Sequence, residues 1–482
     1  SGIILKLIGM KTIRILSIAF VITFLSQLSL SAAGLEEVRK KIDQIICEQL
    51  PSGTDVAVMV YDLTDDTTLY AYRENIMCRP ASVQKVITSI VALHSLGADY
   101  TFETSLRTQG QIGPDSILDG DLYLVGGIDP ALSEHELRQM AADLKKAGVK
   151  QIKGTLYADI SQMDSVYWGT GWCWDDSPAS FQPYISPLMV HQGFIGVEVR
   201  PTVKGKAPDV SLYPANRFIK VENRALTDMP SLGGLVITRD WVNNDNTILV
   251  SGNSRRREAK DLSIVGSAEF TFALFRQYLE DEGIGYDKYG WGRCPTISIS
   301  LSQVSHSIVP IMKEALKESN NLFAEAMFLQ MGRLTKPLQA GFGDASKFMD
   351  NFMARKFGFS SHQYNIVDGS GLSTYNYITP SFMIDLLKLM YDNENLFPHF
   401  YNSLPISGMD GTLKTRLNTK STINRVRAKT GSLTGSCTLA GYLKTAGGHD
   451  IAFCIMNEGA IKTAPSKKVQ DDICAVLCGL TH

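Results

Sequence analysis

Helix- and strand-forming sequence is concentrated at the two ends of this chain, and a long stretch of different character separates them. At the N-terminal end, Leu35–Leu50 has the spacing of an amphipathic helix. Asp55–Tyr61 alternates Val56, Val58 and Val60 with Ala57, Met59 and Tyr61; Thr67–Tyr72 is a second β-rich run, and the polar turn Asp62–Asp66 makes the two an antiparallel hairpin. A helix follows directly from Arg79-Pro80-Ala81-Ser82-Val83-Gln84-Lys85 through Val86, Ile87, Ile90, Val91 and Leu93 to a stop at Gly97. At the other end, Val309–Lys317, Asn320–Met331, Ser346–Phe357 and Ser381–Asn393 read as helices. Arg427–Ser432, Thr438–Leu443 and Ile451–Met456 read as strands, and Lys467–Leu480 as a closing helix.

Between about Tyr100 and Ile284, short β-like segments alternate with turns: Leu122–Val125, Gly154–Ala158, Val197–Val199, Val210–Tyr213, Gly234–Thr238 and Thr247–Val250. Two helices, Ser133–Ala147 and Ala268–Glu282, interrupt that pattern. At 482 residues the chain exceeds one ordinary core. The expected organisation is therefore one domain from residues 34–99 and 285–482, its sheet completed by both ends of the chain. Residues 100–284 form an insertion of one module or two (100–185 with 262–284, and 186–261).

The N-terminus carries an address. Met10-Lys11-Thr12-Ile13-Arg14 is basic, Ile15–Leu30 is apolar, and Ser31-Ala32-Ala33 is small, the layout of a secretory signal peptide cut after Ala33. Residues 1–9 then look like a mis-called start. An uncleaved anchor is the rival reading, but the apolar run is short for a span. A formal net charge of -2 disfavours nucleic acid as the main partner. The eight cysteines are irregularly spaced, with no zinc-finger spacing and no H-E-x-x-H, so no metal and no cofactor are expected. Cys474 and Cys478 stand four apart in an apolar helical run, as core residues would.

Ser82 and Lys85 lie one helical turn apart, so the lysine amine can reach the serine hydroxyl. A hydroxyl is a poor nucleophile without a base, and a buried lysine of depressed pKa can be one. S-x-x-K alone should arise about twice by chance in such a chain. Two further strings raise the stakes. Ser319-Asn320-Asn321 opens a helix, where Ser319 is a good N-cap, and Lys429-Thr430-Gly431-Ser432 lies in the first C-terminal strand. K-T-G is the rarer string, expected about once in several such chains. The decoys Ser251-Gly252-Asn253 and Lys444-Thr445-Ala446 are set aside, the first for its arginine-rich loop and the second for lacking glycine. Together the groups suit acyl transfer. Ser82 attacks and Lys85 accepts the proton; Ser319 relays it to the leaving amine, and Asn321 holds the substrate backbone. Lys429 and Thr430 meet a substrate carboxylate, Gly431 lets substrate lie close to the strand, and the N–H groups of Ser82 and Ser432 form an oxyanion hole. No G-x-S-x-G string suggests an α/β-hydrolase instead.

S-x-x-K, S-x-N and K-T-G in this order resemble the signature of penicillin-binding proteins and serine β-lactamases. The chain is most similar to the D-alanyl-D-alanine carboxypeptidase/endopeptidase family, the class C low-molecular-mass penicillin-binding proteins. Four further segments resemble that family: Gly126-Gly127-Ile128-Asp129-Pro130-Ala131-Leu132, Gly171–Asp176, Asp368-Gly369-Ser370-Gly371-Leu372-Ser373 and Gly408-Met409-Asp410-Gly411-Thr412-Leu413. The second motif departs from S-D-N, and its middle residue, Asn320, is expected to point away from substrate.

The resemblance implies an α/β (α+β) serine transpeptidase/β-lactamase-like domain, an antiparallel sheet flanked by helices, with a large mainly β insertion. It implies a periplasmic serine DD-peptidase acting on peptidoglycan stem peptides and acylated by β-lactams, with at most peripheral membrane contact. Two other readings compete: a catalytically silent envelope protein that binds cell-wall peptide, and a serine β-lactamase using Glu318 or Glu325 as an added base. Asp368-Gly369-Ser370-Gly371 is read as a turn between helices rather than a second nucleophile. Gly171–Asp176, with Trp172 and Trp174, is either a packed aromatic corner or a ligand contact.

Overall fold

The structure, a computed structural model, describes residues 35–481. The expected signal segment lies outside them. The described chain divides into two compact units: one holds the residues up to Cys78, Thr379–Lys388 and those from Pro405 on, the other Arg79–Ile378 and Leu389–Leu404.

The first unit is built on five antiparallel strands in the order Thr67–Tyr72, Asp55–Asp62, Asp450–Ala460, Gly435–Lys444, Val426–Leu433. Both ends of the chain thus complete one sheet, as their patterning predicts. Val58 faces Ile455 and Val60 faces Phe453 across the central pair. Val56, Val58 and Val60 pack with Ile42 and Ile46 of the helix over 35–49 and with Val469, Ile473, Cys474 and Leu477 of the helix Thr463–Cys478. Each such Val or Ile contributes about 1.5–3 kcal/mol on burial. Cys474 and Cys478 are core residues, and the eight cysteines are all free thiols.

In the second unit, Thr101–Thr108 pairs on one side with Leu122–Val125, which lies against Gln151–Asp159, and on the other with Ile299–Ser307. Gly285–Trp291 adds to Gln151–Asp159 in parallel. Strand pairing in this unit therefore runs past Ile284, where the sequence pattern offers no strand before Arg427. A register shift between Ser300 and Ser302 breaks the period-two alternation of Ile299–Ser307 and hides it from pattern reading. A separate three-stranded sheet joins Glu258–Ser263, Phe194–Arg200 and Asp209–Tyr213. The helix Glu134–Lys146 starts at a reciprocal cap between Ser133 and Glu136, and buries Leu137, Met140 and Leu144 with Phe270 and Phe275 of the helix Ser267–Asp281. The remaining helices include Gln84–Leu96, Ile308–Lys317, Asn321–Arg333 and Phe342–Phe352. Among the described residues no helix is long and apolar enough to cross a membrane.

Candidate active site

Ser82 stands within a single 3-10 turn, Ala81–Val83, that runs into the helix Gln84–Leu96. The serine therefore precedes the α-helix rather than riding on it, but the spacing still brings Lys85 Nζ to 2.8 Å from Ser82 Oγ. Ala81, with φ +47°, sits in the left-handed region, a local strain next to the candidate nucleophile.

Two other groups close on the same amine. Lys85 Nζ donates to Asn321 Oδ1 at 2.7 Å and to the Ser370 carbonyl at 2.8 Å. Asn321 Nδ2 donates to the Phe181 carbonyl at 2.8 Å, which fixes the amide with its oxygen toward the lysine. Lys85 is fully buried. Burial pushes its pKa down from 10.5 to about 7, against the opposing pull of the Asp368 and Glu325 carboxylates.

These partners decide which way the amine faces when it is neutral. An amide oxygen and a peptide carbonyl only accept, so both must take N–H hydrogens. The remaining lone pair is left for the one partner that carries a hydrogen, the Ser82 hydroxyl. The arrangement can therefore draw a proton from Ser82 near neutral pH.

Ser319, at φ +62°, is the last residue before Asn320, and Asn320 rather than Ser319 is the N-cap, its side chain accepting from Phe323 N. Asn320 Nδ2 also donates to Gln192 Oε1 at 2.8 Å, so the middle residue of the second motif is spent on structure. In the other unit, Val426–Leu433 is the last strand of the sheet order. There Lys429 is buried with Nζ donating to the Thr430 carbonyl at 2.8 Å, and Thr430 Oγ1 donates to Thr412 Oγ1 at 2.9 Å. Gly431 pairs with Thr438, and Ser432, which is exposed, pairs with Cys437. Thr412 gives the Gly408–Leu413 segment a place beside the third motif.

The decoys do other work. Asn253 Oδ1 accepts from Met229 N at 2.7 Å, and Lys444 pairs with Asp450 at 2.8 Å.

Motif reading missed Ser370, Asp368 and Phe181 as neighbours of the site. The Asp368–Ser373 string is a bend between the paired short strands Tyr364–Asn365 and Tyr377–Ile378 rather than a turn directly between helices, and its backbone touches Lys85. Its signal was the Asp-Gly-Ser-Gly cluster, which by itself says turn and nothing about what the turn faces. Trp172 resolves as a packed corner, buried with Nε1 donating to Asp368 Oδ2 at 2.9 Å, whereas Trp174 is 61% exposed. Glu325 is fully buried and both its oxygens accept from backbone, Gly369 N and Ser370 N, each at 2.8 Å. It is spent on holding that turn inside the fold, and Glu318 is exposed at the end of Ile308–Lys317. The base a β-lactamase would need is not supplied by either.

Gly371 makes the closest approach. Its φ is +81°, and a Cβ there would lie 1.8 Å from the Ala81 carbonyl oxygen. Gly371→Ala must therefore push back the turn carrying Ser82. Acylation by a penicillin should fall about 100-fold or more, as a roughly 1 Å misplacement does. A stopped-flow acylation rate within threefold of wild type would contradict this.

Comparison with known proteins places these features in context. The sequence profile of the D-Ala-D-Ala carboxypeptidase 3 (S13) family matches residues 38–478. A D-alanyl-D-alanine carboxypeptidase of Actinomadura sp. (strain R39) is 32% identical over 468 residues, 92% of this chain and 85% of that protein. The crystal structure of penicillin binding protein 4 (dacB) from Haemophilus influenzae superposes with a TM-score of 0.81 at 26% identity, covering 91% of this chain and 99% of that one. The same protein complexed with a β-lactam gives a TM-score of 0.76 at 24% identity, over 90% and 98% of the two chains.

Proposed function

The chain belongs to the D-Ala-D-Ala carboxypeptidase 3 (S13) family, and from that premise we propose how its residues carry the reaction. It is a penicillin-binding serine DD-peptidase, a hydrolase of D-Ala-D-Ala carboxypeptidase/endopeptidase type that acts on peptidoglycan stem peptides and takes up β-lactams.

In our reading Ser82 Oγ attacks the carbonyl carbon of the penultimate D-Ala as Lys85 Nζ takes the hydroxyl proton. Ser319 passes that proton to the departing amine, the C–N bond breaks, and a Ser82 ester remains. Water then hydrolyses the ester and restores the serine. Asn321 holds the substrate backbone. Lys429 and Thr430 receive the terminal carboxylate and Gly431 gives the substrate room along the strand. The N–H groups of Ser82 and Ser432 stabilise the oxyanion. The observation that carries the reading is the buried lysine amine hydrogen-bonded to the Ser82 hydroxyl, with its other two contacts made to pure acceptors. The Ser432 and Lys429 roles rest on the motif and on family membership.

The action is periplasmic in this reading, supported by the leader-like pattern over Met10–Ala33. The balance between trimming and cross-link cleavage is tested by assaying a D-Ala-D-Ala pentapeptide and a cross-linked muropeptide side by side. Release of D-Ala from the first, or cleavage of the second, is expected from wild type and from neither with Ser82→Ala. Wild-type protein inert to both would overturn the reading.

A further inference from the structure

The Asp368–Ser373 turn and Glu325 form a buried polar cluster that the acylation chemistry just described does not use. Glu325 Oε2 accepts from Gly369 N and Oε1 from Ser370 N. Asp368 Oδ1 accepts from Gly371 N at 2.8 Å and from Asn376 Nδ2 at 2.7 Å; its Oδ2 accepts from Ser373 N at 2.6 Å and from Trp172 Nε1 at 2.9 Å. Both carboxyl groups are fully buried. Four donors on one carboxyl group are what an anion needs and a neutral acid cannot fully use.

The consequence lies in the peptide planes. A trans peptide points its N–H and C=O in opposite directions. Glu325 holds the Ser370 N–H, so the Gly369 carbonyl of the same plane points the other way, and it accepts from Thr88 Oγ1 at 2.7 Å. Asp368 holds the Gly371 N–H, so the Ser370 carbonyl of that plane points away from Asp368 and meets Lys85 Nζ. Thr88 lies three residues beyond Lys85 on the same helix. Two successive peptide groups are thus pinned by buried carboxyls at one end and by the Ser82–Lys85 helix at the other.

We infer that Asp368, with Glu325, is a positioning residue for the DD-peptidase reaction: through the Ser370–Gly371 peptide it fixes the carbonyl that orients Lys85, and its charge faces the ammonium formed when Ser82 is deprotonated. The role parallels the carboxylate of a Ser-His-Asp triad, with one peptide group interposed. The inference rests on the function proposed above. Without the pinned carbonyl the amine has one fewer acceptor, and its lone pair is no longer confined to the direction of Ser82. The groups facing Lys85 in this unit are Ser82 on its own segment, Asn321 and Glu325 on the helix Asn321–Arg333, and Asp368 with the Ser370 carbonyl on the turn. Burial and the neighbouring Asp368 charge push Glu325 up to about 8.

The test is acylation of the full chain by a fluorescent penicillin, with the limiting rate constant and the dissociation constant of the reversible complex measured separately across pH 5–9. D368N is expected to lower the limiting rate constant about 100-fold while the dissociation constant stays within threefold. Its acid limb should also move to lower pH, because an anion that favours protonated Lys85 is gone. E325Q loses one of the two acceptors that hold the Gly369 and Ser370 N–H groups, so it should lower the rate constant as well. Changes in melting temperature alone, with rate and limb as in wild type, would overturn the inference. If D368N does not fold, E325Q decides: a rate constant within threefold of wild type overturns it. Wild type that takes up no penicillin would instead sink the functional reading on which the inference stands.

Discussion

Ser82→Ala is expected to abolish covalent labelling by penicillin and to lower DD-peptidase turnover by about 10⁴-fold or more, the scale of removing a covalent nucleophile. The hydroxyl is the one hydrogen-bearing partner of Lys85 Nζ among its three contacts, so its loss removes the attacking atom and the proton to be taken together. Intact-mass analysis after incubation with penicillin reads the result directly. Wild type should gain the mass of one ring-opened penicillin, and Ser82→Ala none. Ser370, whose carbonyl meets Lys85, gives the alternative. Ser370 is fully buried and its hydroxyl accepts from Leu372 N, so it is poorly placed to attack a substrate. An adduct of full stoichiometry in Ser82→Ala would mean that the nucleophile is elsewhere. Slow loss of the wild-type adduct marks a penicillin-binding protein, and rapid turnover would instead favour a β-lactamase.

Lys85→Met is expected to slow acylation by about 10²–10⁴-fold, the contribution of a positioned general base. Methionine nearly matches the lysine stem in volume and has no proton-accepting nitrogen, so packing in the buried site is largely kept while the base is removed. The pH dependence separates these effects. A base whose pKa is pulled down to about 7 is protonated and idle below that pH. Wild-type acylation should therefore rise with pH through about 7 and level off above it. The residual rate of Lys85→Met should lack that limb. The same depression has a sign for stability. Between about 7 and 10.5 the unfolded chain holds the lysine proton and the folded chain does not, so this group's contribution to stability rises with pH across that window. A rate profile in wild type with its limb near the ordinary lysine value would show that Lys85 is not the base.

Reading the residues in order goes far on the scaffold. The alternation of Val56, Val58 and Val60 and the runs near Leu439 and Ile455 demand strands, because period two puts one set of side chains on a face that must be buried. The Ser133–Glu136 cap and the helical spacing of Leu137, Met140 and Leu144 likewise mark a helix from local chemistry alone. The bulged strand Ile299–Ser307 escapes that logic, because one extra residue inverts its pattern midway. The 3-10 turn at Ser82 escapes it too, since a serine one turn before a lysine looks the same in either kind of helix.

By itself, then, the sequence determined the chemical inventory of the reaction: a serine and a lysine at a spacing that local helical geometry converts into contact. It also determined that both chain ends share one sheet, because each supplies strands too apolar to stand alone. Only the tertiary structure decided what surrounds the amine. Asn321 and Ser370 lie 236 and 285 residues from Lys85 along the chain, and no local rule relates positions so far apart. Which atoms accept from a buried lysine, and therefore where its lone pair points, depends on packing between distant helices and on a turn held by two buried carboxyls. Those are properties of the folded chain, because burial and peptide orientation have no meaning until the segments meet.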